Sequence, residues 1–525
     1  MKENGVSFLR YFLLMLYSLL VLFIPFAIRV REVEFVSPVE TWQSLTSKTV
    51  YDVFVQFRFE VLTALAVLIL ITALLKYYYE YGKREINNSY LDHYVLIFAL
   101  LILLSGLLSP YINIAFRGYY TRCEGVFAYL SYMIIFLVAA NMLDREDDKK
   151  YIFYLTLMAG TLMSLLGITQ FLGLDFLKHP QVMRFWVPAE YLQDIEVSFK
   201  ETYKAFGTTS NPNYLGGYMA MMFPIAAGYY LFIKERWKAV IAFIITIITF
   251  LGLLSSVSAG AFIAVFASLL CVMIINIKYI RGYSIRLLSI ILIIIFLGAA
   301  INIASEGEIT KRLDNITSKI AGDLQLLWVA ENEPETDGAS NTLIAERNPL
   351  DKIASNRGYI WRKSLEMIAS NNLIIGSGMD TYIYYFPHMD EARDPATFTI
   401  TRLIDKPHNM YLHIAQGAGM IALIVYLIML CLHFIKSVKI LNIVDPSEES
   451  GAIFIALLSG WLGYLFQGLS NDSVLASAPV YWATFGMGVN YVKHFISNRN
   501  EVKTVAVKME KQGKQLYSKK KKRKK

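Results

Sequence analysis

Among the 525 residues, Arg357 combines a useful type with a useful place. A short amphipathic helix is predicted over 355–370, lying on or near the membrane surface. Ser355 or Asn356 can cap it, Ile360, Trp361, Leu365 and Ile368 recur at helical spacing, and Asn371-Asn372 ends it. Arg357 falls in the first turn, beside free backbone N–H groups and the positive end of the helix dipole. A guanidinium there offers a planar two-pronged donor suited to phosphate. Arg362 lies five residues on, about 140° around the helix, so the two arginines do not face one ligand from the same side. Arg357 and Trp361 share a face; either arginine could instead pair with an acidic neighbour such as Glu366.

His408 is the second candidate, in Lys406-Pro407-His408-Asn409-Met410-Tyr411-Leu412. Pro407 restricts the chain as it enters a helix. A histidine at a helix start has its protonated form disfavoured by the dipole, which leaves an imidazole able to accept a proton. The plainer alternative is an interfacial histidine bonded to a backbone carbonyl. His179, His388 and His413 lack such a setting. A third feature is Gly207-Thr208-Thr209-Ser210-Asn211-Pro212-Asn213-Tyr214-Leu215-Gly216-Gly217, a tight polar turn entering an apolar run. Asn211 and Asn213 could hold sugar hydroxyls or simply cap the helix.

The elements that carry these residues are membrane helices. The chain is 55% hydrophobic and 18% charged, below the ~25% charged of a soluble protein, and its charges are clumped. Uncharged runs reach the ~20 residues that cross a bilayer, and without alternation they must be helices. The predicted fold is all-α and polytopic, with twelve spans: 8–28, 59–79, 91–109, 126–143, 151–173, 213–233, 238–256, 259–277, 287–304, 410–435, 451–470 and 477–496. No small-residue cleavage site follows Ile28, so the first span reads as a retained helix.

Orientation follows from short basic loops. Lys76, Lys83 and Arg84; Arg145, Lys149 and Lys150; Lys234, Arg236 and Lys238; Lys278, Arg281 and Arg286; and Lys436 and Lys439 fall on one side, with the C-terminal tail. That side is the predicted cytoplasm, with both termini inside a bacterial cell membrane. The organisation is then 1–304, nine helices with outer loops 29–58, 110–125 and 174–212; 305–409, a large outer loop carrying the Arg357 helix; 410–496, three helices; and 497–525, a cytoplasmic tail. The polar stretch 331–338 inside the large loop is predicted to be mobile.

The net charge of +8 is a tail property. From Arg499 onward there are twelve Lys/Arg and two Asp/Glu, a net of +10. A polybasic segment just inside a membrane helix attracts anionic lipid and pins topology, which favours lipid over nucleic acid as its partner. The loop 305–409 holds 16 Asp/Glu against 11 Lys/Arg, so it is no general anion trap. Cys123, Cys271 and Cys431 supply neither a disulfide framework nor a metal cluster, and no cofactor is expected.

Together these elements resemble the O-antigen ligase and O-antigen polymerase superfamily, over about residues 90–490. The resemblance rests on Asn211-Pro212-Asn213-Tyr214-Leu215-Gly216 before a span, Arg357-x-x-x-Trp361 in a late outer loop, and His408-Asn409 opening the next span. Arg122-Cys123-Glu124-Gly125 is similar to an Arg-x-Glu-Gly element of Gram-positive members. Gly376-Ser377-Gly378, Gln467-Gly468 and Ala478-Pro479-Val480-Tyr481-Trp482 also fit.

The resemblance implies an inverting, metal-independent glycosyltransferase. It would move a glycan from undecaprenyl diphosphate on the outer leaflet to a hydroxyl of an acceptor glycan or protein. Arg357 would hold the leaving diphosphate and His408 would act as base. Arg362, Arg122, Asn211, Asn213, Asn409 and Trp361 would contact substrate. Two departures stand out. Gly419 is followed by Ala422, a small residue that should keep the packing, where members carry glycine, threonine or tyrosine, and Ser258-Ala259-Gly260 replaces Ser-Arg-Gly, so Arg122, Arg117 or Arg362 would have to supply the missing cation. The site is expected in a cavity open sideways to the outer leaflet, roofed by loop 305–409. A secondary transporter or a non-catalytic partner in polysaccharide export is the alternative. Against transport, the spans carry almost no mid-membrane charge, and the large loop breaks any symmetry of halves.

Overall fold

Runs free of charge form the long helices, and polar or proline-bearing segments end them. The computed structural model describes residues 2–34, 49–81, 88–191, 204–304, 353–388 and 403–497, with single positions 314, 318, 321, 322, 325, 351 and 390. The helices are α1 (Lys2–Leu22), α2 (Gln56–Lys76), α3 (Asp92–Leu107), α4 (Val126–Met142), α5 (Glu146–Phe171), α6 (Pro212–Phe232), α7 (Arg236–Ser256), α8 (Ala259–Ile275), α9 (Ser284–Ala304), α10 (Ile353–Ser370), α11 (Met410–Leu441), α12 (Glu449–Gly468) and α13 (478–497). Each of the twelve expected spans falls on one of them. Eight are long and apolar enough to cross a membrane, and α3, α4 and α8 are shorter apolar helices. The polar stretch 331–338 and the tail from 498 onward lie outside the described residues.

The bundle is built around α6 and α12, which are buried along nearly their whole length. Gly228 on α6 and Gly460 and Gly463 on α12 let the two backbones approach closely, as membrane helices do when no hydrophobic force separates lipid from protein. α9 is the opposite case, with most of its apolar side chains exposed. Arg286 ties it to the end of α6 through the carbonyls of Tyr230 (3.0 Å) and Leu231 (3.3 Å). A two-stranded antiparallel ribbon, Arg31–Glu34 with Thr49–Asp52, pairs Arg31 with Asp52.

Ion pairs gather at one end of the bundle. Glu449, opening α12, accepts Lys238 of α7 (2.6 Å) and Lys150 of α5 (3.1 Å), and Arg10 of α1 pairs with Asp148. The opposite end of α12 runs into the loop 469–477, where the candidate residues meet.

Two features of the large loop differ from expectation. α10 begins at Ile353, so Ser355 and Asn356 lie within its first turn and Arg357 is its fifth residue. Part of the apolar face of α10 is also turned into protein, with Leu365 left exposed. Tyr359, Ile360 and Met367 pack with Tyr382, Phe386 and Ile404 in a small core that the loop builds for itself.

The loop is pinned to the bundle at a break in α11. Gly419 has φ 87° and ψ 167°, and there the helix loses its own hydrogen bonds. The segment 373–378 supplies replacements: Ser377 N–H donates to Gln416 O (3.0 Å), Gly378 N–H to Gly417 O (2.9 Å), and Met420 N–H to Leu373 O (2.8 Å). Non-helical backbone at membrane depth survives only when protein satisfies it in this way. A Cβ at Gly419 would lie 2.1 Å from Ile374 O, and one at Gly376 2.4 Å from Gly417 O. Gly419→Ala is expected to destabilise the fold by at least ~1–3 kcal/mol from backbone conformation alone. A clear drop in melting temperature of the detergent-purified variant checks this; an unchanged melting temperature refutes it.

Candidate active site

The loop between α12 and α13 collects the candidate residues one by one. Leu469 O accepts Asn409 Nδ2–H (3.0 Å), Ser470 O accepts an Arg357 Nη1–H, and Asn471 O accepts Met410 N–H (3.0 Å). Asp472 Oδ2 lies 3.0 Å from His408 Nδ1, and Ser473 Oγ donates to Glu124 (2.8 Å). Arg357 and His408 thus rest on positions two apart in one chain, which extended backbone separates by at most about 7 Å.

His408 owes its place to the start of α11. Asn409 is the N-cap, its side-chain oxygen accepting Tyr411 N–H and Leu412 N–H (both 3.0 Å). His408 before it has φ 51°, rare for a residue with a side chain, and its ring is partly exposed. An ionised carboxylate only accepts, so Asp472 assigns the proton of a neutral imidazole to Nδ1 and leaves the Nε2 lone pair free. Burial alone would push Asp472 up. His408, Arg122 and Lys406 outweigh it and hold the acid well below the usual carboxylate range.

Arg357 is held differently from Arg362, although both lie on α10. Among the described residues no carboxylate pairs with Arg357, and its burial lowers its pKa, offset only in part by Asp472 and Tyr214. Arg362 is saturated. Nε and Nη2 meet Asp351 (2.8 and 2.6 Å) and Nη1 meets Glu366 (2.8 Å). A phosphate would have to displace those acids, so the geometry favours the pairing alternative for Arg362. Trp361 does share the Arg357 face, and its Nε1–H donates to Pro407 O (3.1 Å), which fastens α10 to the chain entering α11.

Arg122 is buried and turned toward carboxylates. Nε meets Asp380 Oδ1 (2.6 Å), Nη2 meets Glu124 Oε2 (3.1 Å), and Nη1 faces Asp472 Oδ1 at 3.8 Å. These acids raise its pKa against the lowering by burial. Contact with a diphosphate is at odds with this setting, because the guanidinium already serves buried acids. Glu124 is pushed up to about 7 by burial, despite Arg122, Ser473 and Tyr132. His413, which showed no context in the sequence, sits here too, its Nδ1 3.4 Å from Arg122 Nη2.

Asn211 caps α6, accepting Asn213 N–H (2.8 Å). Asn213 knits three elements: its carbonyl accepts Gln467 Nε2 (3.3 Å) and Asn471 Nδ2 (3.0 Å), and its side chain accepts Ser258 Oγ–H (3.1 Å). Gly260 touches Ser470, so the turn holding Ala259 abuts the same loop. Lys406 lies over the Tyr214 ring (5.2 Å to its centre) and 3.4 Å from Asp405. A small cleft lies beside the loop, lined by Arg58, Arg122, Ser210, Tyr214 and Ser473 among others.

Sequence reasoning missed Asp472, Asp380 and Lys406. Asp472 had a signal: it is the only Asp, Glu, Lys, Arg or His between Glu449 and Lys493. An isolated acid between two apolar helices is costly unless it is paired, and so is worth notice. Asp380 had none, since its hydrogen-bond partners lie more than 250 positions away.

Comparison with known proteins adds one match and one absence. Residues 244–427 match the family model of O-antigen ligase. The match runs from within α7 into α11 and includes Arg357, Trp361, His408 and Asn409 but not Arg122, Asn211 or Asp472. No curated protein matches the chain.

Proposed function

From an O-antigen ligase domain in a multi-pass helical membrane protein, we propose a glycosyltransferase that takes its glycan from undecaprenyl diphosphate at the outer leaflet. Support comes from the paired seating of Arg357 and His408 on Ser470 and Asp472. Both side chains lie at the end of the bundle opposite the Glu449 ion-pair cluster, and the basic loops near that cluster support a cytoplasmic side for it. The 497–525 tail, on that side, binds anionic lipid.

In the proposed reaction His408 Nε2 removes the proton from an acceptor hydroxyl. The oxygen attacks the anomeric carbon from the face opposite the diphosphate. The carbon–oxygen bond to the diphosphate breaks, its electron pair leaves with the phosphate, and the configuration inverts. Asp472 stabilises the imidazolium that forms. Arg357 meets the charge that grows on the leaving oxygen, where preorganised donors act most strongly. Asn211, Asn213, Asn409 and Trp361 shape the wall around these atoms. Arg362 contributes only if substrate exchanges with its acids.

The test is direct. The purified protein in lipid nanodiscs is supplied with the lipid-linked glycan that accumulates in cells lacking this chain. Transfer should release undecaprenyl diphosphate and place the glycan either on a second carrier-linked glycan, which identifies a polymerase, or on a separate acceptor from the same cells, which identifies a ligase. Failure to release undecaprenyl diphosphate with any acceptor fraction overturns the proposal.

A further inference from the structure

His408 is held by Asp472, but Asp472 must itself be held. It is buried, and its Oδ1 makes no hydrogen bond. Arg122 Nη1 is likewise buried without a hydrogen bond, and the two face each other at 3.8 Å. Two buried charges of opposite sign orient one another even beyond hydrogen-bond length, because little water screens them. Arg122 is fixed in turn by the short Nε contact to Asp380 (2.6 Å).

Asp380 is built for that task. Its backbone has φ 61°, a left-handed conformation that costs energy for a residue with a side chain. Its other oxygen, Oδ2, accepts Tyr119 N–H (2.8 Å) and Glu124 N–H (3.2 Å), so it gathers the whole 119–124 turn around Arg122. It stands just after the 373–378 segment that is locked into the α11 break. Resting on the reading of His408 as the base, we propose that Asp380 is a positioning residue for the transfer reaction, acting through Arg122 and Asp472 to fix the His408 imidazole. The chain of contacts draws on four separate segments: 376–380, the 119–124 turn, the 469–477 loop and the start of α11.

Asp380→Asn is the suitable change. The amide oxygen can still accept from Tyr119 N–H and Glu124 N–H, while the charge facing Arg122 is gone. In the nanodisc assay with accumulated lipid-linked glycan, kcat should fall about tenfold to a hundredfold, the range for losing an outer partner of a catalytic group, with KM within about threefold. The decisive measurement is a double-mutant cycle. In an Asp472→Asn background, itself slowed, adding Asp380→Asn should lower kcat by less than about twofold. Equal losses in both backgrounds mean a merely structural residue and overturn the proposal, as does an unchanged kcat in the single variant. Should Asp380→Asn not yield folded protein, Arg122→Lys takes its place: it keeps the charge but loses the fork, and should show the same kcat loss and the same non-additivity. Wild-type protein that transfers no glycan overturns the function itself and the positioning role with it. Wild-type activity with additive variants overturns the positioning role alone.

Discussion

His408→Ala is expected to lower the rate of glycan transfer by about 10²–10⁴-fold, the range for removing a general base. The expectation comes from how the ring is held. Asp472 occupies Nδ1, and Nε2 is the nitrogen left to take a proton. Alanine removes that nitrogen and strands the buried Asp472 opposite Arg122 alone. His408→Gln is the informative companion, since an amide can donate to Asp472 but cannot serve as a base. Both variants should bind the lipid-linked glycan as wild type does, because the imidazole acts on the acceptor. The fold should survive, as the α11 cap is made by Asn409. A His408→Gln protein with wild-type turnover would remove the base from the mechanism.

Arg357→Ala should cost about 10²–10³-fold in turnover, the scale for losing one charge-stabilising donor in a shielded site. Arg357→Lys should fall between alanine and wild type. A lysine keeps a positive charge but not the planar fork that grips two phosphate oxygens, so the exchange is not conservative here. The same pair of substitutions at Arg362 should have a much smaller effect, because Arg362 spends its guanidinium on Asp351 and Glu366. Turnover measured across all four variants with the accumulated lipid-linked glycan checks the contrast. Equal losses at 357 and 362 would mean that the two arginines share the leaving group, against their arrangement on α10.

The helices were legible from residue types because one force dominates. Long uncharged runs have no other stable form in a bilayer, and all twelve expected runs fall on helices. Arg357 and His408 were legible because local sequence, a helix start and a proline before it, gives each a setting. The contacts that select their roles are not local. Asp472 reaches His408 across 64 positions, and Arg357 reaches Ser470 across 113. Arg122 shows the limit clearly. As a sequence it reads as a cation free to meet phosphate, and only the fold brings Asp380 to it from 258 positions away. The break at Gly419 was half legible. The small Ala422 is buried as its size suggests, but no pattern in the helix announced that residues 373–378 would complete it.

That completion has a consequence for how the protein is made. Residues 373–378 leave the ribosome before Gly419 does, but the break in α11 is completed only when the two segments meet. At about 14 Å from its beginning, counting 1.5 Å per residue, that helix carries peptide groups it cannot satisfy itself. Insertion therefore ends with a docking event rather than with the last hydrophobic residue. Until residues 373–378 seat, α11 is an unfinished helix.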